Sequence, residues 1–496
     1  MNLIMNVKNV KSLKDITFSF PLEKGLYAIT GENASGKSTL VACASSVFFH
    51  MPMNEFFGKP SGEATIEFTL GDATRKWEFS NNKWKQSASE ERMPLRGFYE
   101  GSIIFGNRFK DTNFNALRSL DNIDSKGIMP ADEFVQTNLG NILHNDPGYY
   151  NQLYSIKDTV KRKLNLVGHS YFYQVDEGKY ISQARMSTGE NMLITILHSL
   201  NLRRKRREKG DSAKPYIVFL DEIELALHAS ALRRLIVFLQ EISEELNAAI
   251  FFSTHSIELI RDIKPQNIFY LDRQMDGSIL ITNPCYPAYA TRNLYSDDGF
   301  GSDAVIFVED DMAKSIIERV LFEKELLNNI RVKVLPSGGW TNTLVMAHDV
   351  ITSKLLLKGT RCIVVLDRDI KSKVPAFMKK HRECEYLEPD YLPVSSLEKY
   401  LKRTLIDGLD ATIYKKLDNY IFQRKPLKAL LEKYRKEVDA AKDNNGKKLY
   451  DILMDELRAM RKNREDLVEL VVKHIMETDH ALVDSLAEYL KQKFEE

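Results

Sequence analysis

Apolar and polar residues alternate through residues 1–30, with Ile16, Phe18 and Phe20 in phase, until the run reaches GLYAIT. Period-two alternation predicts strands, the last feeding straight into a glycine-rich loop. TLVACASSVFF (39–49) predicts the helix after that loop, and ATIEFTL with RKWEFS (64–80) predicts a hairpin. Residues 107–180 are mixed and non-repeating, read as short helices, and no stretch sustains the heptads of a long coiled-coil arm. NMLITILHSLNL (191–202) predicts a strongly apolar helix, and RRKRREKGDSAK (203–214) a basic linker. YIVFLDE (216–222) and AAIFFSTH (248–255) are short apolar runs that end in polar residues. That is the pattern of parallel strands buried on both faces.

YSDDGFGSD (295–303), rich in glycine and aspartate, marks a domain boundary, after which the pattern restarts. AVIFV, RVKVLPS and RCIVVLD predict strands; MAKSIIERVLFEKELL and TLVMAHDVITSKLLL predict the helices between them, with SGG as a turn. This β-α-β-α-β order with short connections predicts a small parallel sheet. Beyond about residue 400 the chain reads as helical and charge-laced.

The resulting fold class is α/β in three parts: a P-loop domain over 1–295, a parallel-sheet domain over 303–400, and a helical region over 401–496. A length of 496 residues fits two or three domains. Lys plus Arg (70) nearly cancel Asp plus Glu (69), so overall charge carries no nucleic-acid signal. The run RRKRR (203–207) could touch a phosphate backbone, but is read first as a solvated loop. Cys43, Cys285, Cys362 and Cys384 are far apart, which argues against a zinc module or a disulfide framework. MNLIMNVKNVKSLKD lacks a signal-peptide pattern, and no apolar run approaches the ~20 residues of a membrane span. These features predict a soluble cytoplasmic protein with no membrane partner.

GENASGKS (31–38) fits G-x-x-x-x-G-K-[ST] between a strand and a helix. Gly31 and Gly36 let backbone N–H groups turn toward phosphates, Lys37 reaches the β- and γ-phosphates, and Ser38 offers a hydroxyl to Mg²⁺. ATP and Mg²⁺ are therefore the expected ligands. Asp221, ending a buried strand, can hold that Mg²⁺ through water, and Glu222 can polarise the attacking water. His255 ends the next strand, where it could sense the γ-phosphate. In MSTGEN (186–191), Ser187 and Gly189 open a helix and so offer a second anion site. Read alone, the same residues are an ordinary N-cap followed by an acid.

A second constellation follows. VIFVEDD (305–311) puts Glu309 at a strand end, and IVVLDRD (363–369) puts Asp367 and Asp369 at another. In parallel sheets ligands bind at these C-terminal ends. Three carboxylates suit Mg²⁺ or Mn²⁺, which could activate water against a phosphodiester. Asp310 and Asp311 read equally well as helix caps.

The order of the first set resembles the ATP-binding-cassette (ABC) ATPases, specifically the soluble group with heads like those of the structural-maintenance-of-chromosomes (SMC) proteins. GENASGKST, with Gly31, Asn33, Gly36, Lys37, Ser38 and Thr39, looks like the Walker A motif. MSTGEN is similar to the signature, with Thr188 where glycine is usual; IVFLDE looks like Walker B and FSTH the switch histidine. Asn107 and Arg108 stand roughly where a glutamine loop would. The resemblance implies a homodimer or higher homo-oligomer in which Ser187 and Gly189 meet the partner's ATP. The second set resembles the Toprim domain, and the pair on one chain resembles the OLD (overcoming lysogenization defect) family of ATP-dependent nucleases. That resemblance implies DNA as substrate, Mg²⁺ or Mn²⁺ at Glu309, Asp367 and Asp369, Glu398 as a further metal-site acid, and Lys447, with Lys448 close behind, as a lysine contacting the scissile phosphate. It also implies a role in anti-phage defence of the Gabija or retron kind, alongside a helicase or a reverse transcriptase with its nucleic acid. Two departures stand out: Asp310 replaces a usual glycine, and Ala313 stands where some relatives carry an acid. They leave open a non-cleaving ATP-driven DNA clamp with a vestigial Toprim domain. A strand-passage or priming enzyme is disfavoured, because no nucleophilic tyrosine stands in a recognisable context and no zinc module is present.

Overall fold

The computed structural model describes residues 1–48, 57–60, 62–87, 93–101, 120, 123–164, 166, 169–209, 214–292, 301–356, 359–392 and 394–495. Asn107 and Arg108 lie outside these. The chain forms two compact units, Met1–Asp298 and Gly299–Glu496. The second takes in both the parallel strands after residue 303 and the helices after residue 401.

Unit 1 is built on two large sheets. β1 (Asn2–Val10), β2 (Leu13–Pro21), β4 (Ala64–Leu70), β5 (Ala73–Ser80) and β6 (Lys83–Gln86) form an antiparallel sheet in the order β2-β1-β4-β5-β6. β3 (Gly25–Gly31), β7 (Arg96–Gly101), β12 (Tyr216–Asp221), β13 (Ala248–Ser253), β14 (Ile268–Arg273) and β15 (Ile279–Thr282) form the other, in the order β15-β14-β3-β13-β12-β7. All its neighbours are parallel except β14 and β15.

The continuous apolar runs of the central strands follow from burial on both faces. Ile217, Phe219, Ala249 and Phe251 face the antiparallel sheet, in a core shared with Phe18, Phe20, Ile66 and helix α1 (Lys37–Ser45). Val218, Leu220, Ile250 and Phe252 face the opposite way. There they pack with helices α2 (Glu133–His144), α3 (Thr188–Glu208) and α4 (Ala229–Leu246). Successive strand residues therefore serve two different cores, which is why period-two alternation disappears in these runs.

Among the described residues, the region expected as short helices holds both helix and sheet: α2 and a six-residue helix, Asp158–Lys163, meet the expectation, and four short strands accompany them. β8 (Ile128–Pro130), β9 (Leu153–Ile156), β10 (Tyr171–Asp176) and β11 (Lys179–Ser182) pair antiparallel around Ile128, Ile156 and Phe172. Strands of three to six residues are too short to display a period.

The basic linker is also corrected: α3 continues helically through the arginines to Glu208. No glycine or proline interrupts it before Gly210, and cations in a last turn suit the helix dipole. Three of the five basic side chains, Arg203, Arg204 and Lys205, are engaged within unit 1. Arg203 stacks on Tyr216 at 4.8 Å, Arg204 pairs with Glu245 at 3.1 Å, and Lys205 pairs with Asp132 at 2.5 Å. These contacts favour the structural reading of the run over a phosphate-backbone surface.

Unit 2 carries a wholly parallel sheet, β17-β16-β18-β19, from β16 (Ala304–Val308), β17 (Val332–Pro336), β18 (Arg361–Asp367) and β19 (Asp390–Leu392). Helix α5 (Asp311–Glu323) follows β16, and α6 (Trp340–Thr352) follows β17. Gly338 and Gly339 adopt φ +82° and +132°, so the SGG turn uses conformations that a side chain disfavours. Helices α7 (Leu397–Lys402), α8 (Lys447–Ala459), α9 (Arg464–Thr478) and α10 (His480–Glu495) are among the helices that follow the sheet. Among the described residues no helix is long and apolar enough to cross a membrane.

Candidate functional site

The glycine loop joins β3 to α1. Gly31 has φ +148°, and a Cβ there would lie 2.4 Å from the Leu271 carbonyl oxygen, so the loop closes on β14 only without a side chain. Gly36, at φ +99°, caps α1 against Leu13. Lys37 is only 5 % exposed. Its ammonium donates to the carbonyls of Gly31 (3.2 Å) and Glu32 (2.9 Å), lying back over its own loop. Burial pulls its pKa down to about 8, against the attraction of Glu222, Asp221 and Glu224. Asn33 is exposed at the loop tip, and Ser38 and Thr39 are half-buried in the first turn of α1.

Parallel pairing of β12 with β13, and of β13 with β3, brings the remaining groups to the same sheet end. Asp221 is fully buried, and burial raises its pKa to about 6, offset first by the hydrogen bond from the Ser253 hydroxyl. Its Oδ2 has no partner. The Glu222 N–H donates to Ser253 Oγ at 3.0 Å. The Ser38 hydroxyl stands 3.5 Å from Glu222 Oε1. Glu222 adopts a left-handed backbone (φ 52°, ψ 47°), a costly conformation for a non-glycine residue. Glu224 Oε1 accepts from the His255 N–H (2.8 Å) and from Thr254 Oγ1 (2.9 Å). Burial, then the charge of Lys37, lowers the His255 pKa, and its buried Nδ1 has no partner. Lys37, Ser38, Asp221, Glu222 and His255 thus gather at one end of the sheet. The unsatisfied Asp221 oxygen, the Ser38 hydroxyl and the side-chain-free cradle at Gly31 fit a Mg²⁺–nucleotide. Ser253 and Glu224, which hold the acid pair and the histidine, were not singled out as functional in the sequence, although FSTH and IVFLDE frame them.

Ser187 is the N-cap of α3. Its Oγ accepts from the Glu190 N–H (3.3 Å) while Glu190 returns a bond to the Ser187 N–H (2.8 Å), completing a capping box. Tyr150 donates to the other Glu190 oxygen at 2.7 Å, tying this cap to the β8–β11 region. A Cβ at Gly189 would lie 2.7 Å from the Ala226 carbonyl, so the start of α3 packs closely against the turn after Glu222.

In unit 2, Glu309 and Asp367 end adjacent parallel strands and are 9 % and 6 % exposed. Glu309 Oε1 accepts from the Asp367 N–H at 2.7 Å. The Glu309 carbonyl accepts from the Gly338 and Gly339 N–H groups (2.9 and 3.0 Å), binding the two strand-end loops together. Burial raises Glu309 to about 7, with Asp369 and Asp310 adding repulsion. Burial raises Asp367 to about 8, reinforced by Glu309, Asp310, Asp369 and Glu398. Glu398 lies in the first turn of α7. Gly446, at φ +69°, approaches so closely that a Cβ would meet the Glu398 carbonyl oxygen at 2.4 Å. That contact seats Lys447, the exposed first residue of α8, beside α7.

Asp310 caps α5 through the Ala313 N–H (2.9 Å), and Arg464 bridges Asp310 (3.4 Å) and Asp311 (2.9 Å). Asp310 is therefore a cap and an ion-pair partner, and Asp311 an ion-pair partner. Lys399 pairs with Asp369, whose buried Oδ1 has no partner. Among the described residues no three His, Cys, Asp or Glu side chains converge as a ready metal-holding group. The donor chemistry, carboxylate oxygen throughout, still fits a hard divalent cation. Arg464 and Lys399 escaped sequence reading because ion pairs across 153 and 30 positions leave no local pattern.

These titration shifts predict a pH effect. Both folded-state pKa values lie above the ordinary carboxylate range, so their stabilising contribution is complete below that range and is lost as pH rises through about 7 and about 8. The melting temperature in EDTA should fall between about pH 5 and about pH 8.5, and Asp367→Asn should flatten the fall. Differential scanning fluorimetry across that range is the check.

Comparison with known proteins adds one family match. Residues 58–261 match a family described as "AAA domain, putative AbiEii toxin, Type IV TA system". The match covers less than half of the chain; it includes the Asp221–Glu222 pair and His255 but not the glycine loop. None of the curated protein sequences matches. Solved structures with likeness include the SMC head domain from Thermotoga maritima, at 14 % identity and TM-score 0.30 over 57 % of this chain and 99 % of that one. An SmcHead bound to the C-winged helix domain of ScpA gives 14 % identity and 0.35 over 56 % and 97 %. An Smc head domain with an extended coiled coil, bound to the C-terminal domain of ScpA derived from Pyrococcus furiosus, gives 13 % and 0.36 over 59 % and 99 %. These overlays are loose. The P-loop closed on β14, the acid pair on β12 and the histidine on the intervening β13, together with the match over residues 58–261, support a P-loop ATPase domain in unit 1.

Proposed function

We propose that the chain is an ATP-regulated, metal-dependent DNA endonuclease of the OLD type, unit 1 hydrolysing ATP and unit 2 cutting DNA. The observation that carries the second half is the placement of Glu309 and Asp367, both buried, at the ends of adjacent parallel strands. Burying two carboxylates together is costly without a counter-charge, and such pairs mark functional sites. Glu309, Asp367 and Asp369, with Glu398, would hold Mg²⁺ or Mn²⁺. The cation would supply charge neutralisation and an activated water at a phosphodiester. Glu309 also fixes the Asp367 backbone, and Lys447, beside α7, offers a cation to the scissile phosphate. In unit 1, Lys37 binds the β- and γ-phosphates, Ser38 and Asp221 hold Mg²⁺, Glu222 orients water, and His255 meets the γ-phosphate.

The protein acts as a homodimer or larger homo-oligomer, with Ser187 and Gly189 completing the partner's ATP site. Mixing Lys37→Ala with Ser187→Arg chains should restore one intact composite site per dimer and recover part of the ATPase rate. A chain that hydrolyses ATP fully as a monomer contradicts this. We place the activity in anti-phage defence, with DNA as target. The rival reading, a DNA clamp that does not cut, draws on the lysine held by Asp369 and on the absence of a preassembled three-ligand group among the described residues. Incubating purified protein with supercoiled DNA and Mg²⁺ or Mn²⁺, with and without ATP, separates the two. Metal-dependent nicking supports the nuclease, whereas ATP-dependent DNA retention without nicking supports the clamp.

A further inference from the structure

Asp369 is the least settled of the three strand-end acids. One oxygen pairs with Lys399, and the other is buried without a partner. The lysine and aspartate side chains are about three-quarters buried, at 27 % and 24 % exposure, so this is not a freely solvated surface pair. Lys399 stands beside Glu398 in the first turn of α7, and the Gly446 turn lies directly on the Glu398 backbone. The helix that delivers the lysine is therefore pinned, and its ammonium is held at the acid cluster.

We propose that Lys399 is a built-in counter-ion of the carboxylate site, which neutralises Asp369 in the metal-free protein and must release it when a divalent cation binds. The inference rests on the metal-site reading above and adds its regulation: Lys399 and the cation compete for one carboxylate. The physical reason is charge. Asp369 is a carboxylate about three-quarters buried, which is costly without a counter-charge, and the tethered ammonium supplies that charge until a divalent cation replaces it.

The test is Mn²⁺ binding to the nucleotide-free full chain, read by calorimetry and by the metal-induced shift in melting temperature. Lys399→Met should bind Mn²⁺ more tightly by ~5-fold or more, the equivalent of losing a competing partly buried ion pair. It should also melt lower than the parent in EDTA and regain that loss with Mn²⁺. Lys399→Gln serves the same purpose if the methionine variant does not fold. Lys399→Arg should retain the parent affinity. Asp369→Asn should weaken Mn²⁺ binding, and adding Lys399→Met to it should give no tightening. Mn²⁺ affinity in Lys399→Met equal to or weaker than that of a metal-binding parent overturns the counter-ion role and leaves the metal site standing. Failure of both parent and variant to bind Mn²⁺ overturns the metal site and the counter-ion role together.

Discussion

Lys37→Ala is expected to abolish ATP binding and to reduce hydrolysis by roughly 10²–10³-fold or more, the scale on which removing one preorganised charge donor acts. The ammonium already lies along the loop carbonyls of Gly31 and Glu32, attracted by Glu222 and Asp221. A phosphate entering that loop exchanges weak carbonyl contacts for a charge-assisted one. Glu222→Gln separates binding from chemistry. It keeps the shape beside Ser38 but removes the group that orients water, so ATP should still bind while turnover falls by roughly 10²–10⁴-fold. Nucleotide binding by fluorescence and phosphate release by a coupled assay are the measurements. Hydrolysis by Glu222→Gln at the parent rate would remove Glu222 from its assigned role.

Asp367→Ala is expected to reduce DNA nicking below ~1 % of the parent, because even outer-shell changes at metal sites cost roughly 10–100-fold. Asp367 is buried at a strand end, receives the charge of four other acids, and has its backbone fixed by Glu309. The alanine variant loses an oxygen ligand in a place where no exposed side chain can substitute. ATP binding should be unchanged, since Lys37 and Asp367 belong to different compact units.

Much of this architecture is visible in the sequence because it is local. A glycine loop between strand and helix, two apolar strands ending in DE and in STH, and a β-α-β-α-β run all carry their signal within a dozen residues. The continuous apolar strands are legible because each residue serves one of two cores. What escaped is tertiary. The β8–β11 sheet is assembled from pieces too short to show alternation. The basic run after Asn201 reads as a linker, yet the Tyr216 ring takes Arg203, Glu245 pairs with Arg204 and Asp132 pairs with Lys205 as α3 continues. At the sites, the acids are readable from strand ends, but the cations that hold them are not. Lys399 and Arg464 reach Asp369 and Asp310 from distant helices. Asp310, unusual at its position by resemblance, is accounted for by its cap of α5 and its bridge to Arg464.

The most direct measurement is a time course of supercoiled-plasmid nicking in Mn²⁺ by four purified full-length proteins: the parent, Asp367→Ala, the Glu309→Ala/Asp369→Ala double variant, and Lys37→Ala. An EDTA arm and parallel melting curves accompany each. The predicted result is metal-dependent nicking by the parent, none by either carboxylate variant although both fold and bind ATP, and nicking by Lys37→Ala that no longer responds to ATP. Nicking that continues at the parent rate in both carboxylate variants would contradict the account and place the cutting chemistry outside the Glu309–Asp367–Asp369 cluster.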